Sequence, residues 1–447
     1  MRLRHWRVIC SALREEISMH SEQTRREWLL GSSAAATAAY LGLPTLGLPT
    51  IALAAAPTAP VSVVRSKTYD PAELLPAMEK MFDQMGGLGR LVNNKTVSIK
   101  INLTGNPTIR LGDNLIGDTT YTNPYVIGAT VHFLGRAGAK RIRLLESPTG
   151  SGEPIPEFLA RANWDLNAIL NAAKNVEFTN TNFPGANNKF ARFKIPTGGY
   201  IFPGFDLNPA YADCDVFMSL AKMKEHATAG ITLSMKNCFG MTPCTIYGNG
   251  AGVDEPSLTV SGGRQNCCHT GTRAPSKSAP QENDPTTPRD GGYRMPRIVT
   301  DVCSARPIDI AIVEAVRTMA GSELARPGNQ FLSPGLIIAG TNCVTTDAVC
   351  VGLMGYDPLS ERGTAPFERC ENTLALAEAI GLGTRDLNRI EVRGVQIADA
   401  RLNFPELRKA RPPFQTGQGR GAGRAQGQWD GVSGATRPTA SAAPPKP

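Results

Sequence analysis

A chain of 447 residues is too long for one ordinary domain core and allows two modest domains or one large α/β domain. Hydrophobic residues at 41% and charged residues at 19% exclude a wholly disordered chain. The formal net charge of +8 does not mark a nucleic-acid binder. Residues 1–54 carry +2 and residues 411–447 carry +4, which leaves +2 on residues 55–410, whereas nucleic-acid binding needs a concentrated basic stripe that releases counterions.

The N-terminus reads as an address. Arg25 and Arg26, in Thr24-Arg25-Arg26-Glu27-Trp28-Leu29-Leu30, precede an uncharged run from 31 to 56 rich in Ala, Gly, Leu and Thr, and Ala52-Leu53-Ala54 supplies small residues for cleavage. A basic region, an apolar region and a small-residue site in that order make a signal peptide. Twin Arg before a weakly apolar segment looks like a twin-arginine export signal; Trp28 departs from it, since a smaller aromatic such as Phe is more usual there. The alternative is an uncleaved membrane anchor, for which the stretch is long enough. Pro44, Pro49, Gly31, Gly42 and Gly47 argue against a continuous span. Met19 gives a more compact start than Met1. The expectation is a signal over 1–54, the export machinery as partner, no stable membrane span after cleavage, and a mature protein that is periplasmic or otherwise exported.

Ten cysteines occur, and removing Cys10 with the signal leaves an odd nine, hence at least one free thiol or an intermolecular pair. No Cys-x-x-Cys occurs, so a ferredoxin cluster or zinc ribbon lacks its spacing and no metal is expected. Cys267-Cys268-His269 is the only dense Cys/His group; its preferred reading is a loop disulfide to Cys244, with metal ligation as the alternative. Cys343 and Cys350 read as small core residues.

Along the body, strands are expected over 61–65, 95–101, 141–145, 176–179, 191–195, 215–220, 308–313, 336–339 and 390–392. Helices are expected over 71–85, 124–136 (Asn123 as N-cap, Pro124 first in the helix), 153–162, 165–173, 230–237, 296–305, 344–354 and 366–380. Residues 241–295 are crowded with Gly, Pro, Ser, Thr and Asn and read as a long irregular excursion, disulfide-clamped or mobile. Residues 411–447 are low-complexity and expected to be disordered. Strands alternating with helices imply one α/β domain over 55–410, a mainly parallel sheet covered on both faces.

Polar residues follow several apolar strands: Lys100 and Asn102, Glu146 and Ser147, Lys222, Lys224 and His226, and Glu314. Ligands bind at the carboxyl ends of strands in open α/β sheets, so these side chains are expected on one rim. Two lysines two apart on a strand point the same way. Lys100, Asn102, Lys222, Lys224 and Asn237 are therefore expected to bind an anionic group, with His226, Lys236 and Glu314 as candidate catalytic residues and His226 as the proton carrier. Solvated surface charge is the alternative for Lys222 and Lys224, helix capping for Glu146, an N-terminal helix charge for Asp347, and a packed or surface position for His132.

At these residues the chain resembles the domain of unknown function 362. Lys100-Ile101-Asn102, Asn123-Pro124, Gly138-Ala139-Lys140, Lys222-Met223-Lys224-Glu225-His226 and Lys236-Asn237-Cys238-Phe239-Gly240 match its pattern. So do Glu314, Ala339-Gly340, Asp347-Ala348-Val349 and Met354-Gly355-Tyr356-Asp357-Pro358, over about residues 95–395. Many relatives carry ferredoxin-like Cys clusters and this chain does not; the 241–295 excursion is a second departure. A fainter likeness to nickel-pincer lactate racemases rests on His and Lys after an apolar strand, without the Gly-Gly context or further His residues of that group. The sequence names no cofactor and no reaction. The leading reading is a cleft for an anionic small molecule or cofactor; the alternatives are an enzyme using His226 as acid/base, a periplasmic binding or accessory protein whose same lysines only hold the ligand, and an interaction protein whose excursion and tail bind a partner.

Overall fold

A computed structural model describes residues 55–409 other than residue 186. The expected export signal with Arg25 and Arg26, and the expected tail over 411–447, lie outside the described residues.

The strands are β1 Val61–Arg65, β2 Thr96–Lys100, β3 Arg141–Glu146, β4 Val176–Asn180, β5 Ala191–Lys194, β6 Gly204–Leu207, β7 Val216–His226, β8 Gly230–Thr232, β9 Ile310–Ala320, β10 Gln330–Leu332, β11 Leu336–Gly340 and β12 Val392–Gly394. The principal helices are α1 Pro71–Gln84, α2 Pro124–Arg136, α3 Ser234–Cys238, α4 Gly291–Ala305 and α5 Cys343–Leu353. One sheet runs β12-β1-β11-β9-β7-β2-β3-β4, with β10 added to β9 and β8 to β7, while β5 and β6 form a separate ribbon. The neighbours from β9 through β7, β2 and β3 to β4 are all parallel. The fold is therefore α/β with a mainly parallel sheet; β11, antiparallel to both β1 and β9, is the main exception.

Alternation along the central strands divides the core between the two faces. Phe217, Ala221 and Met223 of β7 join Ala311 and Val313 of β9 and Leu336 and Ile338 of β11, packed with α4 and α5. Val216, Met218 and Leu220 join Ile310, Ile312, Ile337 and Ala339 beneath α1 and α2. That is the period of two of an extended chain, and these strands are nearly continuous in apolar residues because both faces are covered. Asn123 caps α2, its side chain accepting the Tyr125 N–H at 3.0 Å, and Pro124 takes the first position where no N–H is needed.

Three expected elements are corrected. The helix expected over 230–237 is a strand, β8, followed by α3 from Ser234. β7 turns back through Gly230, whose φ of +72° and contact with Phe367 exclude a side chain, and the β-branched Ile231 and Thr232 then suit a strand. The helix expected over 366–380 starts at Thr373, where Asn372 accepts the Leu374 N–H and fixes the N-terminus. The excursion over 241–295 is neither a clamped nor a detached loop: it packs into the core. Cys244, Cys267 and Cys268 are buried free thiols, and the remaining described cysteines are free as well, so the loop disulfide expected to Cys244 is not formed. The segment is held instead by Arg294, wholly buried, which pairs with Glu282 at 2.6 Å and donates to the Cys267 carbonyl at 3.1 Å. No described helix is long and apolar enough to cross a membrane.

Candidate functional site

The carboxyl ends of β2, β3 and β7 open into a cleft of about 770 Å³, closed on its far side by α3 and by residues 263–269 and 290–292. Lys100, Asn102, His226, Lys236 and Asn237 line it, together with Glu146, Arg264, His269 and Glu323. Lys222, Lys224 and Glu314 do not.

Strand parity explains the split. Lys222 and Lys224 do point the same way, but they share the parity of Val216, Met218 and Leu220, which faces the core under α1 and α2. Glu314 has the same parity in β9 and lies opposite Lys222 in the parallel register. The two form a fully buried ion pair at 2.5 Å. Lys222 Nζ also donates to the carbonyls of Asp118 and Arg317, and Glu314 accepts the Tyr69 hydroxyl at 2.7 Å. Both the expectation of solvated lysines and that of a cleft lysine are corrected here. Lys224 donates to Asn102 Oδ1 at 3.1 Å and the Thr120 carbonyl at 2.6 Å. Burial, and next the Lys222 charge, push its pKa well below the ordinary lysine value. It supports the cleft wall from behind by fixing Asn102.

The cleft floor is a polar network. Lys100 Nζ lies 2.6 Å from Glu146 Oε1 and donates to the Ile101 carbonyl at 2.7 Å. Glu146 caps no helix; its other oxygen accepts the Leu103 N–H at 2.8 Å. Asn237 Oδ1 accepts from Asn102 at 2.9 Å and its Nδ2 donates to the Lys100 carbonyl at 3.0 Å. Burial lowers the Lys100 pKa, and Glu146 partly offsets this. Gly240 touches this floor: a methyl group there would lie 2.9 Å from Lys100 Nζ and 3.1 Å from Glu146 Oε1. Gly240→Ala should therefore displace a fully bonded pair and destabilise the fold by about 1–3 kcal/mol. Urea unfolding checks this, and an unchanged midpoint would mean that the pair swings aside freely.

The short helix α3 places Lys236 and Asn237. Its N-terminus is held by Asp347, which accepts from Ser234 N and Oγ at 2.9 and 2.6 Å and from Met235 N at 2.9 Å. Asp347 thus caps α3 rather than acting as an N-terminal charge on its own helix, and burial raises its pKa to about 6 against the pull of these bonds. Lys236 Nζ sits 4.5 Å from the Phe239 ring centre, within cation–π range. Arg264 flanks the same ring at 5.7 Å and donates to the Ser147 carbonyl at 2.9 Å and the Thr149 hydroxyl at 3.2 Å. Among the described residues neither cation has a carboxylate at ion-pair distance. Burial, assisted by the Arg264 and Lys100 charges and opposed by Glu323, brings the Lys236 pKa down to about 8.

Two imidazoles complete the wall. His226 Nδ1 accepts the Thr228 N–H at 3.1 Å, which places the proton of the neutral ring on Nε2. Desolvation, then the Lys236 charge, holds its pKa well below the ordinary 6.5. His269, edge-on to Phe239, is brought down to about 4 by the same two causes. Burial pushes Glu323 up, but His226, its backbone bonds and Arg326 outweigh that and leave it ionised. At pH 7 the wall therefore holds neutral histidines and an ionised Glu323. No group of three metal-ligating side chains is found among the described residues.

Sequence reasoning missed Arg264 and His269 as cleft residues because both come from the excursion. The signal that could have found them was a set of charged and ring side chains in a stretch otherwise too poor in apolar residues to need them. His132 is partly exposed in α2 and belongs to a different cavity.

The chain belongs to the family described as Domain of unknown function (DUF362), whose family model matches residues 97–352. It is similar to the Thylakoid-associated protein sll1697 of Synechocystis sp., at 28% identity over 185 residues, which is 41% of this chain and 50% of that protein. Among solved structures it is similar to the lactate racemase apoprotein from Thermoanaerobacterium thermosaccharolyticum, at 13% identity and a TM-score of 0.32, covering 60% of this chain and 52% of that one. A protein from Thermotoga maritima is also similar, at 17% identity and a TM-score of 0.24, covering 38% and 37%. The chain thus spans half the length of the curated relative and about half or less of the two solved structures.

Proposed function

We propose that this is an exported protein whose cleft binds an anionic small molecule or cofactor. The observation that carries the reading is Lys236 and Arg264 flanking Phe239 without a carboxylate partner among the described residues. A desolvated ammonium and a guanidinium in a concave site lack charge compensation that a carboxylate or phosphate supplies. Asn102 Nδ2, which gives one hydrogen to Asn237, keeps a second for a ligand at the floor, whereas Asn237 is fully bonded and Lys100 is already neutralised by Glu146. Native mass spectrometry of protein isolated from its own host tests the reading. An anionic molecule should copurify with the wild type and be lost from Lys236→Met; equal retention by both would oppose it.

A second reading, an enzyme with His226 as acid/base, is favoured by the fixed tautomer: Nε2–H is left as a donor, and a bound anion would raise the ring's proton affinity. In that case His226→Ala retains the ligand and loses turnover. Glu314 lies outside both readings, since it is sealed against Lys222.

Export rests on Arg25, Arg26 and Ala52-Leu53-Ala54. The thylakoid association in the Synechocystis relative's name supports a place of action at a membrane-bounded compartment. Arg25→Lys with Arg26→Lys should trap uncleaved precursor inside the cell, whereas wild-type protein begins just after Ala54. Exported wild type that begins at Met1 or Met19 on N-terminal sequencing contradicts this.

A further inference from the structure

Of the two lysines that line the cleft, Lys100 is paired with Glu146. Lys236 Nζ lies over the Phe239 ring at 4.5 Å and has no hydrogen-bond or ion-pair partner among the described residues. We propose that Lys236 is a covalent nucleophile that forms an imine with the carbonyl carbon of an oxo acid, whose carboxylate is seated beside Arg264. The proposal rests on the anion-binding reading and names the class of anion.

Three features of the cleft supply that chemistry. First, the side chain is fixed at its base and unengaged at its tip. Asp347 anchors the first turn of α3, and the neighbouring Asn237 is fully bonded, so the backbone that carries Lys236 is rigid. Second, Arg264 stands alongside with a charge that no proton loss removes. It donates only to neutral oxygens, of Ser147, Thr149 and Thr242, and one Nη1 hydrogen is left over. A permanent cation beside a desolvated lysine keeps the amine unprotonated and nucleophilic. Burial comes first, Arg264 and Lys100 assist and Glu323 opposes; the resulting value of about 8 leaves about a tenth of Lys236 as free amine at pH 7, against about one part in three thousand for an ordinary lysine. Third, the two imidazoles hold opposite tautomers. His269 Nδ1 lies 3.5 Å from the Arg264 carbonyl, which can only accept, so Nδ1 carries the proton and Nε2 keeps a lone pair. His226 accepts at Nδ1 and presents Nε2–H. Both rings line the cleft and both feel the Lys236 charge. One ring is a proton acceptor for the attacking nitrogen and the other a donor to the carbonyl oxygen.

The step balances without a co-reactant. The Nζ lone pair forms the N–C bond, and the carbonyl π pair moves to oxygen, which accepts from His226 Nε2–H. The two amine hydrogens pass one after the other through His269 Nε2 to that oxygen and leave with it as water as the C=N bond forms. The imine, once protonated, draws electrons from the adjacent carbon. Proton transfer at that carbon, or cleavage of a bond to it, is the class of reaction that follows.

Reductive trapping on the full chain at pH 7 tests this. Sodium cyanoborohydride converts the imine to a stable secondary amine, and peptide mapping places the added mass. The probes are glyoxylate, 2-oxobutanoate and 4-oxopentanoate, which space the carbonyl differently from the carboxylate, with butanone as the uncharged comparison. With at least one oxo acid, Lys236 should be labelled at least about tenfold faster than any other lysine, and at least about tenfold faster than with butanone. Malonate should slow that labelling, and Lys236→Arg should abolish it. No labelling of Lys236 by any of the three oxo acids, labelling no faster than at the exposed lysines, or equal labelling by butanone overturns the proposal. A melting-temperature gain with malonate in the same wild-type protein would then show that the anion reading stands without the imine, whereas no gain would remove both.

Discussion

Lys222→Met is expected to destabilise the protein by about 3–5 kcal/mol in urea unfolding, the cost of leaving one member of a buried ion pair without its partner. Glu314 would lose its cationic partner in a place where no water reaches it. It would be left with the Tyr69 hydroxyl and the backbone N–H groups of Val316 and, more distantly, Asn123. The double variant Lys222→Met with Glu314→Leu should regain most of the loss, because well-packed apolar residues replace buried pairs at little cost. Recovery in the double variant separates a structural pair from a ligand-binding lysine. A ligand-binding Lys222 would instead give a single variant of nearly normal stability and lost binding.

The second large effect is the pH dependence of anion binding. Lys236 is held at about 8, against an ordinary lysine value of 10.5. Between those two values the unfolded chain carries more protons than the folded one, so this group makes the ligand-free protein gain stability as pH rises through that window. Anion binding has the opposite sign, because it needs the ammonium form: it is fully present below pH 8 and is lost as pH rises through it. An anion at one hundred times its dissociation constant should stabilise the protein by about 2.7 kcal/mol. A melting-temperature screen with phosphate and malonate should find that gain at pH 7, find little of it at pH 9.5, and find none in Lys236→Met at either pH. Equal stabilisation at both pH values would move the anion away from Lys236.

Much of the fold was legible because its cues are local. The apolar runs at β2, β3, β7, β9 and β11 and the Asn123-Pro124 helix start announce themselves without tertiary information. What local reading could not supply was which face a residue occupies once both faces are buried. At Lys222 and Lys224 the spacing of two correctly gives a shared direction, yet the direction is inward, and only the pairing of β7 with β9 shows that Glu314 waits there. Asp347 is a similar case: it lies one turn into α5 in sequence but caps α3 in space, 113 residues away. The excursion concealed Arg264 and His269 for another reason. Its residues are held by buried arginines and backbone carbonyls rather than by a periodic apolar stripe, so the pattern that marks packed segments is missing although the packing is there.

The central claim is that Lys236 is a desolvated ammonium awaiting an anion, and its own titration tests this most directly. In protein labelled with carbon-13 lysine, with the Lys236 Cε resonance assigned by loss in Lys236→Arg, the free protein should titrate at about 8. Saturating phosphate or malonate should carry that midpoint back toward the ordinary lysine value, because the anion favours the charged form. A midpoint already at the ordinary value in the free protein, or one that no anion moves, would contradict the account.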